Sequence, residues 1–142
     1  MIGTGSRGVM RDPGKPPQQF SGNEPVSQAG VEEFSMQAGF QLPDEYVRFL
    51  RRSNGGEGFI GNAYVILWRL EELLTLNAGY HVADYAPGLF LFGSDGGGEA
   101  FAFDRRTEAM PIVNVPFVGM ALDVVEPSGK NFDFFLRRLS NS

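Results

Sequence analysis

The chain has 142 residues with a formal net charge of −5, 42% hydrophobic residues, thirteen phenylalanines and no cysteine. That length suits one domain with one core, and the apolar content excludes a chain that is disordered throughout. The lack of cysteine excludes disulfides, thiol nucleophiles and thiolate metal sites, and it fits a reducing, cytoplasmic compartment.

The charge is uneven. Residues 1–25 carry three basic and two acidic groups, so residues 26–142 carry nine basic against fifteen acidic, a body of −6. An acidic body disfavours nucleic acid and anionic membrane as partners and accommodates a basic protein partner. No run approaches the ~20 apolar residues of a membrane span, and the N-terminus has no apolar stretch of signal-peptide length.

Residues 1–25 are rich in Gly, Pro and polar types without a period, which predicts a flexible N-terminal tail. The domain is expected over 26–142. Val31, Phe34 and Ala38 then line one face of a short helix stopped by Gly39. Leu42 to Gly58 holds a full set of helix signals. Pro43 suits a first helical position, Asp44 and Glu45 face the positive end of the helix dipole, and Tyr46, Phe49 and Leu50 make an apolar stripe. Asn54, Gly55 and Gly56 end it, since Asn and Gly tolerate the left-handed conformation.

Tyr64 to Trp68 is continuous, apolar and partly β-branched, the pattern of a buried strand. Leu70, Leu73 and Leu74 have helical spacing, with Glu71 and Glu72 turned outward. Asn77 to Pro87 reads as an irregular connection. Leu89 to Phe92, a glycine turn over 93–98 and Ala100 to Asp104 form a hairpin in which Phe101 and Phe103 alternate with alanines. Ile112 to Val115 and Phe117 to Val125 supply two more strands, with Pro116 at the join. Asn131 caps a closing helix whose buried stripe is Phe132, Phe135, Leu136 and Leu139. Short turns between strands imply an α+β fold: a mostly antiparallel sheet of about five strands, an N-terminal helix pair and a C-terminal helix.

No catalytic constellation emerges. His81 is the single histidine, without a nearby Cys, and fits a surface turn better than a metal site. The glycine turn lacks the Lys-Ser/Thr of a phosphate loop and carries Asp95 and Glu99, which would repel a phosphate. Those two with Asp104 do not have the spacing of an EF-hand, so calcium is a weak reading. Adjacent carboxylates on a helix point about 100° apart and make poor acid/base dyads. Trp68 closes an apolar strand, either as core or as a half-exposed platform.

Gly39 to Glu45, the aromatic helix and Asn54-Gly55-Gly56 resemble the opening signature of the SUKH superfamily, which includes yeast cell-wall-assembly regulators and many bacterial immunity proteins. Three further landmarks follow in order: Leu70 to Leu73 after the first strand, the hairpin with its glycine turn ending in Asp104, and Asn131 to Leu136. The resemblance covers about residues 26–140. Arg69 stands where that family often has a capping Ser, so this helix start is expected to be less secure. The resemblance implies a non-enzymatic protein-binding module without a cofactor or metal. Its bacterial members look like proteins that neutralise a toxin domain of nuclease or deaminase type, and its fungal members like regulatory scaffolds. For a basic toxin domain the expected contact residues are Asn54, Glu57, Trp68, Asp95, Glu99 and Asp104.

Overall fold

A computed structural model describes residues 19–142. Sequential antiparallel pairing sets the architecture. Strand β1 (Ser21–Gly22) precedes helices α1 (Gln28–Ala38) and α2 (Asp44–Leu50), then strands β2 (Gly56–Ile60) and β3 (Ala63–Leu67). Helices α3 (Leu70–Gly79) and α4 (Val82–Tyr85) come next, before β4 (Leu89–Ser94), β5 (Glu99–Asp104), β6 (Ile112–Pro116), β7 (Glu126–Gly129) and α5 (Phe132–Ser140). The sheet order is β1 through β7 in sequence, every pair antiparallel.

The α+β class holds, but the sheet has seven strands rather than about five. Four expected strands are present as β3 to β6. The expected strand over 117–125 is absent: Leu122–Val124 form a single 3-10 turn, and pairing resumes only at β7. Strands β1 and β2 carry no sequence signal, because Ser21–Gly22 is too short and Gly-Glu-Gly-Phe-Ile lacks alternating apolar residues. The presumed irregular connection after Asn77 is partly helical, since α3 runs on to Gly79 and α4 follows.

Residues 19–22, assigned from the sequence to the N-terminal tail, lie along β2. Ser21 pairs with Glu57 and Gly22 with Gly56, and the Phe20 N–H donates to the Phe59 carbonyl at 3.1 Å. This placement explains two glycines. A Cβ on Gly56 would come 2.5 Å from the Phe20 ring, and one on Gly58 would come 2.5 Å from the Gln19 carbonyl oxygen. Residues 1–18 of the expected tail lie outside the described residues.

The core grows from the aromatic positions of the sheet. Phe92 and Phe103 stack at 4.5 Å, Phe101 meets Phe135 of α5 edge-on at 4.9 Å, and Tyr46 of α2 sits about 5 Å from both Phe103 and Phe132. Such pairs add to the area that each ring removes from water. The intervening Ala100 and Ala102 are fully buried too, so β5 is covered on both faces.

Strands β3 and β4 diverge. They pair only at Ile66 with Ser94 and Leu67 with Gly93, and the Trp68 N–H then reaches the Phe92 carbonyl at 3.0 Å. Beyond that point Asn77 of α3 replaces a strand. Its Oδ1 accepts from the Leu91 N–H at 2.8 Å, and its Nδ2 donates to the Leu91 carbonyl at 2.9 Å and to the Leu73 carbonyl at 2.8 Å. A buried backbone N–H and C=O must be paired, and one amide side chain pairs both.

The Tyr46 hydroxyl is fully buried and has no hydrogen-bond partner, and burial pushes its phenol pKa far above the usual range. Removing an unsatisfied hydroxyl takes away a desolvation cost of about 1–3 kcal/mol without breaking a bond. Tyr46→Phe is therefore expected to leave the urea midpoint unchanged or raise it. A fall of more than about 1 kcal/mol would mean that the hydroxyl has a partner in solution.

Candidate functional site

Of the residues expected to touch a partner, three meet at one end of the sheet. Asp95 and Glu99 flank the β4–β5 turn, where the Asp95 carboxylate accepts from the Gly97 N–H at 2.8 Å and the Glu99 N–H at 3.2 Å. Side-chain acceptors of this kind hold tight turns in place of backbone bonds. Glu99 in turn accepts from the Asn114 side chain at 2.8 Å. Glu57 is exposed on β2 and accepts a hydrogen bond from the Tyr64 hydroxyl. The Tyr64 ring lies over Gly96, where a Cβ would come within 2.9 Å of it, so Glu57 is linked through Tyr64 to the same turn. The result is two carboxylates at the β4–β5 turn, with a third, on β2, linked to that turn through Tyr64.

The other three expected residues lie elsewhere. Asp104 ends β5, five residues from Glu99 and hence ~17 Å away along the strand. It is 8% exposed, and Arg106 grips it with two side-chain bonds of 2.8 and 2.9 Å and a backbone N–H at 3.0 Å. The Arg106 side chain holds this carboxyl below the usual carboxylate range despite the opposing effect of burial. A depressed folded-state pKa stabilises the fold above the unfolded value near 4, and that contribution is lost as the pH falls through the folded value. Asp104→Asn is expected to lower the urea midpoint at pH 7, and the gap to the parent should narrow by pH 3. An equal gap at both values would show that the charge of Asp104 contributes nothing.

Trp68 is 8% exposed. Its ring lies 6.1 Å from Tyr80 at an interplanar angle of 11°, and Tyr80 sits 4.7 Å from Phe117. Of this row, Tyr80 is 41% exposed and offers surface where Trp68 offers almost none.

Asn54 is committed to the fold. Its Oδ1 accepts from the Leu70 N–H at 2.7 Å and its Nδ2 donates to Glu71 at 2.8 Å. Glu72 closes the same helix end by accepting from the Arg69 N–H at 3.0 Å. The start of α3 therefore does not suffer from Arg69 in place of a capping Ser. Two N–H groups at that end, of Arg69 and Leu70, are satisfied by Glu72 and by an asparagine from another element. The Asn54 bond is the main reason that the Glu71 carboxyl titrates below its usual value.

Around Asn54 opens a polar cleft of about 770 Å³ lined by Gly22, Asn23, Glu24, Asn54, Arg69 and Glu71. Sequence reasoning missed all of these except Asn54. Nothing in their spacing signals the cleft, because it forms only where residues 22–24 cross the start of α3. Asn23 anchors that crossing, taking Ser53 Oγ through its N–H at 2.9 Å and the Asn54 carbonyl through its side chain at 2.9 Å.

Among the described residues, no group of three or more His, Cys, Asp or Glu is placed to hold a metal ion. No described helix is long and apolar enough to cross a membrane. No curated protein matches the chain. Residues 25–138 match the model of the SMI1 / KNR4 family (SUKH-1), a span that holds both the Asn54-Gly55-Gly56 corner and the glycine turn of the β4–β5 hairpin. On that match over most of its length, the chain belongs to the SMI1 / KNR4 family.

Proposed function

We propose that this chain is a non-enzymatic, cytoplasmic immunity-type module that neutralises a basic toxin domain, of nuclease or deaminase type, by covering it. The observation that carries the reading is the grouping of Glu57, Asp95 and Glu99 around the β4–β5 turn in a member of this family. Fixed carboxylates steer a cationic partner and can occupy the groove that such a partner presents to phosphate. Because Asp95 and Glu99 are already bonded within the hairpin, little ordering remains when a partner arrives. Tyr80, exposed beside Trp68, adds an aromatic anchor of the kind that interfaces favour.

The test is capture of the product of the adjacent gene by the full chain at low and at high salt. Tight retention weakened by salt is expected. The triple charge reversal of Glu57, Asp95 and Glu99 to Lys should abolish it. Retention unaffected by that change would move the interface off the hairpin end. Capture of a housekeeping protein instead would favour a regulatory or scaffolding module that binds a host protein or small ligand.

A further inference from the structure

Six of the nine cations of residues 26–142 lie on or just beside α2 and α5: Arg48, Arg51, Arg52, Lys130, Arg137 and Arg138. Arg48 of α2 pairs with Asp133 in the first turn of α5 at 2.9 Å, which joins the outer faces of the two helices. Below them Phe49 and Phe132 pack at 5.2 Å. Arg51 lies three residues after Arg48 and Arg137 four residues after Asp133, so each continues its helix's outer stripe. Beside Arg137 on α5, Phe134 is 38% exposed, with Lys130 Nζ 4.1 Å and the Arg137 guanidinium 4.7 Å from its ring centre. The band thus holds four cations, Arg48, Arg51, Lys130 and Arg137, against Asp133, and Asp44 and Glu45 mark its end in the first turn of α2. Arg51 donates to the neutral Gln28 at 2.7 Å, and the Gln28 amide in turn donates to Glu32 at 3.2 Å, so Arg51 is held one side chain away from a carboxylate and not in an ion pair with it.

We propose that this α2–α5 face is a second docking surface, and that its occupant is a short acidic segment of a protein partner with an apolar side chain to set against Phe134. Charge complementarity selects the occupant. Exposed charges act over a Debye length of about 8 Å at physiological ionic strength, so an acidic segment confined to the band feels its cations. A nucleic acid or an anionic membrane would extend past the band onto a body of net charge −6 and be repelled. The aromatic ring flanked by two cations favours a peptide with both carboxylates and an apolar residue over a bare polyanion. This surface is independent of the hairpin end, so its failure would leave the proposed toxin contact untouched.

The experiment is fluorescence anisotropy of the full chain with a labelled ten-residue peptide alternating Glu and Leu. A Lys-Leu peptide and a single-stranded oligothymidine of twenty nucleotides serve as controls. The acidic peptide is expected to bind and to weaken as salt rises. Its affinity should fall about tenfold or more in the Arg51→Glu/Arg137→Glu double variant and by a smaller factor in Phe134→Ser. Should the double variant fail to fold, Arg137→Gln with a salt titration reads the same dependence from one exposed charge. Binding that is unchanged in these variants would overturn the proposal. So would oligothymidine binding of equal strength lost in the same variants, which would make the face a polyanion surface. A concentration-dependent dimer abolished by the double variant would also overturn it, because the occupant would then be a second copy of this chain.

Discussion

Replacing Gly55 by alanine is expected to destabilise this fold by about 3 kcal/mol. Gly55 has φ +75°, and a Cβ there would come 2.4 Å from the Leu67 carbonyl oxygen and 2.7 Å from that of Trp68. The left-handed conformation costs an L-residue roughly 1–2 kcal/mol, and relieving the contact with two backbone oxygens costs about 1–3 kcal/mol more. No flexible side chain can move aside, because both obstacles are main chain where β3 hands over to α3. A loss of about 3 kcal/mol corresponds to a fall in Tm of roughly 10 °C in a domain of this size. Gly79→Ala is the control: it adds the same methyl where nothing lies within 4 Å, and it should be neutral or slightly stabilising. Thermal melts of the two variants decide the matter. A fall of less than about 3 °C for Gly55→Ala would mean that the α2–β2 corner is softer than its geometry implies.

Asn77→Ala should cost a comparable amount for a different reason. It strips the partners from the N–H and carbonyl of Leu91, a residue with no exposed surface and with no β3 residue opposite it. Two unsatisfied buried backbone groups cost about 1–3 kcal/mol each, so a loss of roughly 2–6 kcal/mol is expected. Asn77→Asp separates this from a mere size effect. It keeps the side-chain volume and the acceptor for the Leu91 N–H, but it sets a carboxylate against the Leu91 and Leu73 carbonyls. It should be at least as damaging as alanine. Urea titration gives the energies, and hydrogen exchange at the Leu91 amide gives the location. A mild effect of Asn77→Ala with Leu91 still protected would show that another group takes over the pairing.

These two residues mark where sequence reading stopped. Asn54-Gly55-Gly56 reads as a helix terminator, and the chain does turn there. Yet α2 ends earlier, at Leu50, and the three residues serve contacts remote in sequence: Asn54 caps α3, Gly55 passes two carbonyls of the β3–α3 junction, and Gly56 makes room for Phe20. Asn77 reads as a loop residue because Asn is a poor helix former. Tertiary structure overrides that preference, since its side chain takes the place of a neighbouring strand. Of the six residues expected to meet a partner, Glu57, Asp95 and Glu99 share one end of the sheet, whereas Asn54 and Asp104 are engaged internally and Trp68 is buried. Residue type and turn position point to exposed carboxylates. They cannot tell a half-buried turn Asp from a buried one gripped by an Arg two residues on.

The sequence by itself determined the α+β class, four central strands, the capped closing helix and the family. Apolar period, cap residues and turn glycines act over a few neighbours, and those neighbours are adjacent in the chain. Only the tertiary structure decided the two N-terminal strands, the cleft around Asn54, the substitution of Asn77 for a strand partner and the cation band shared by α2 and α5. Each depends on groups tens of residues apart brought within hydrogen-bond or van der Waals range, and no local pattern encodes which distant backbone will arrive.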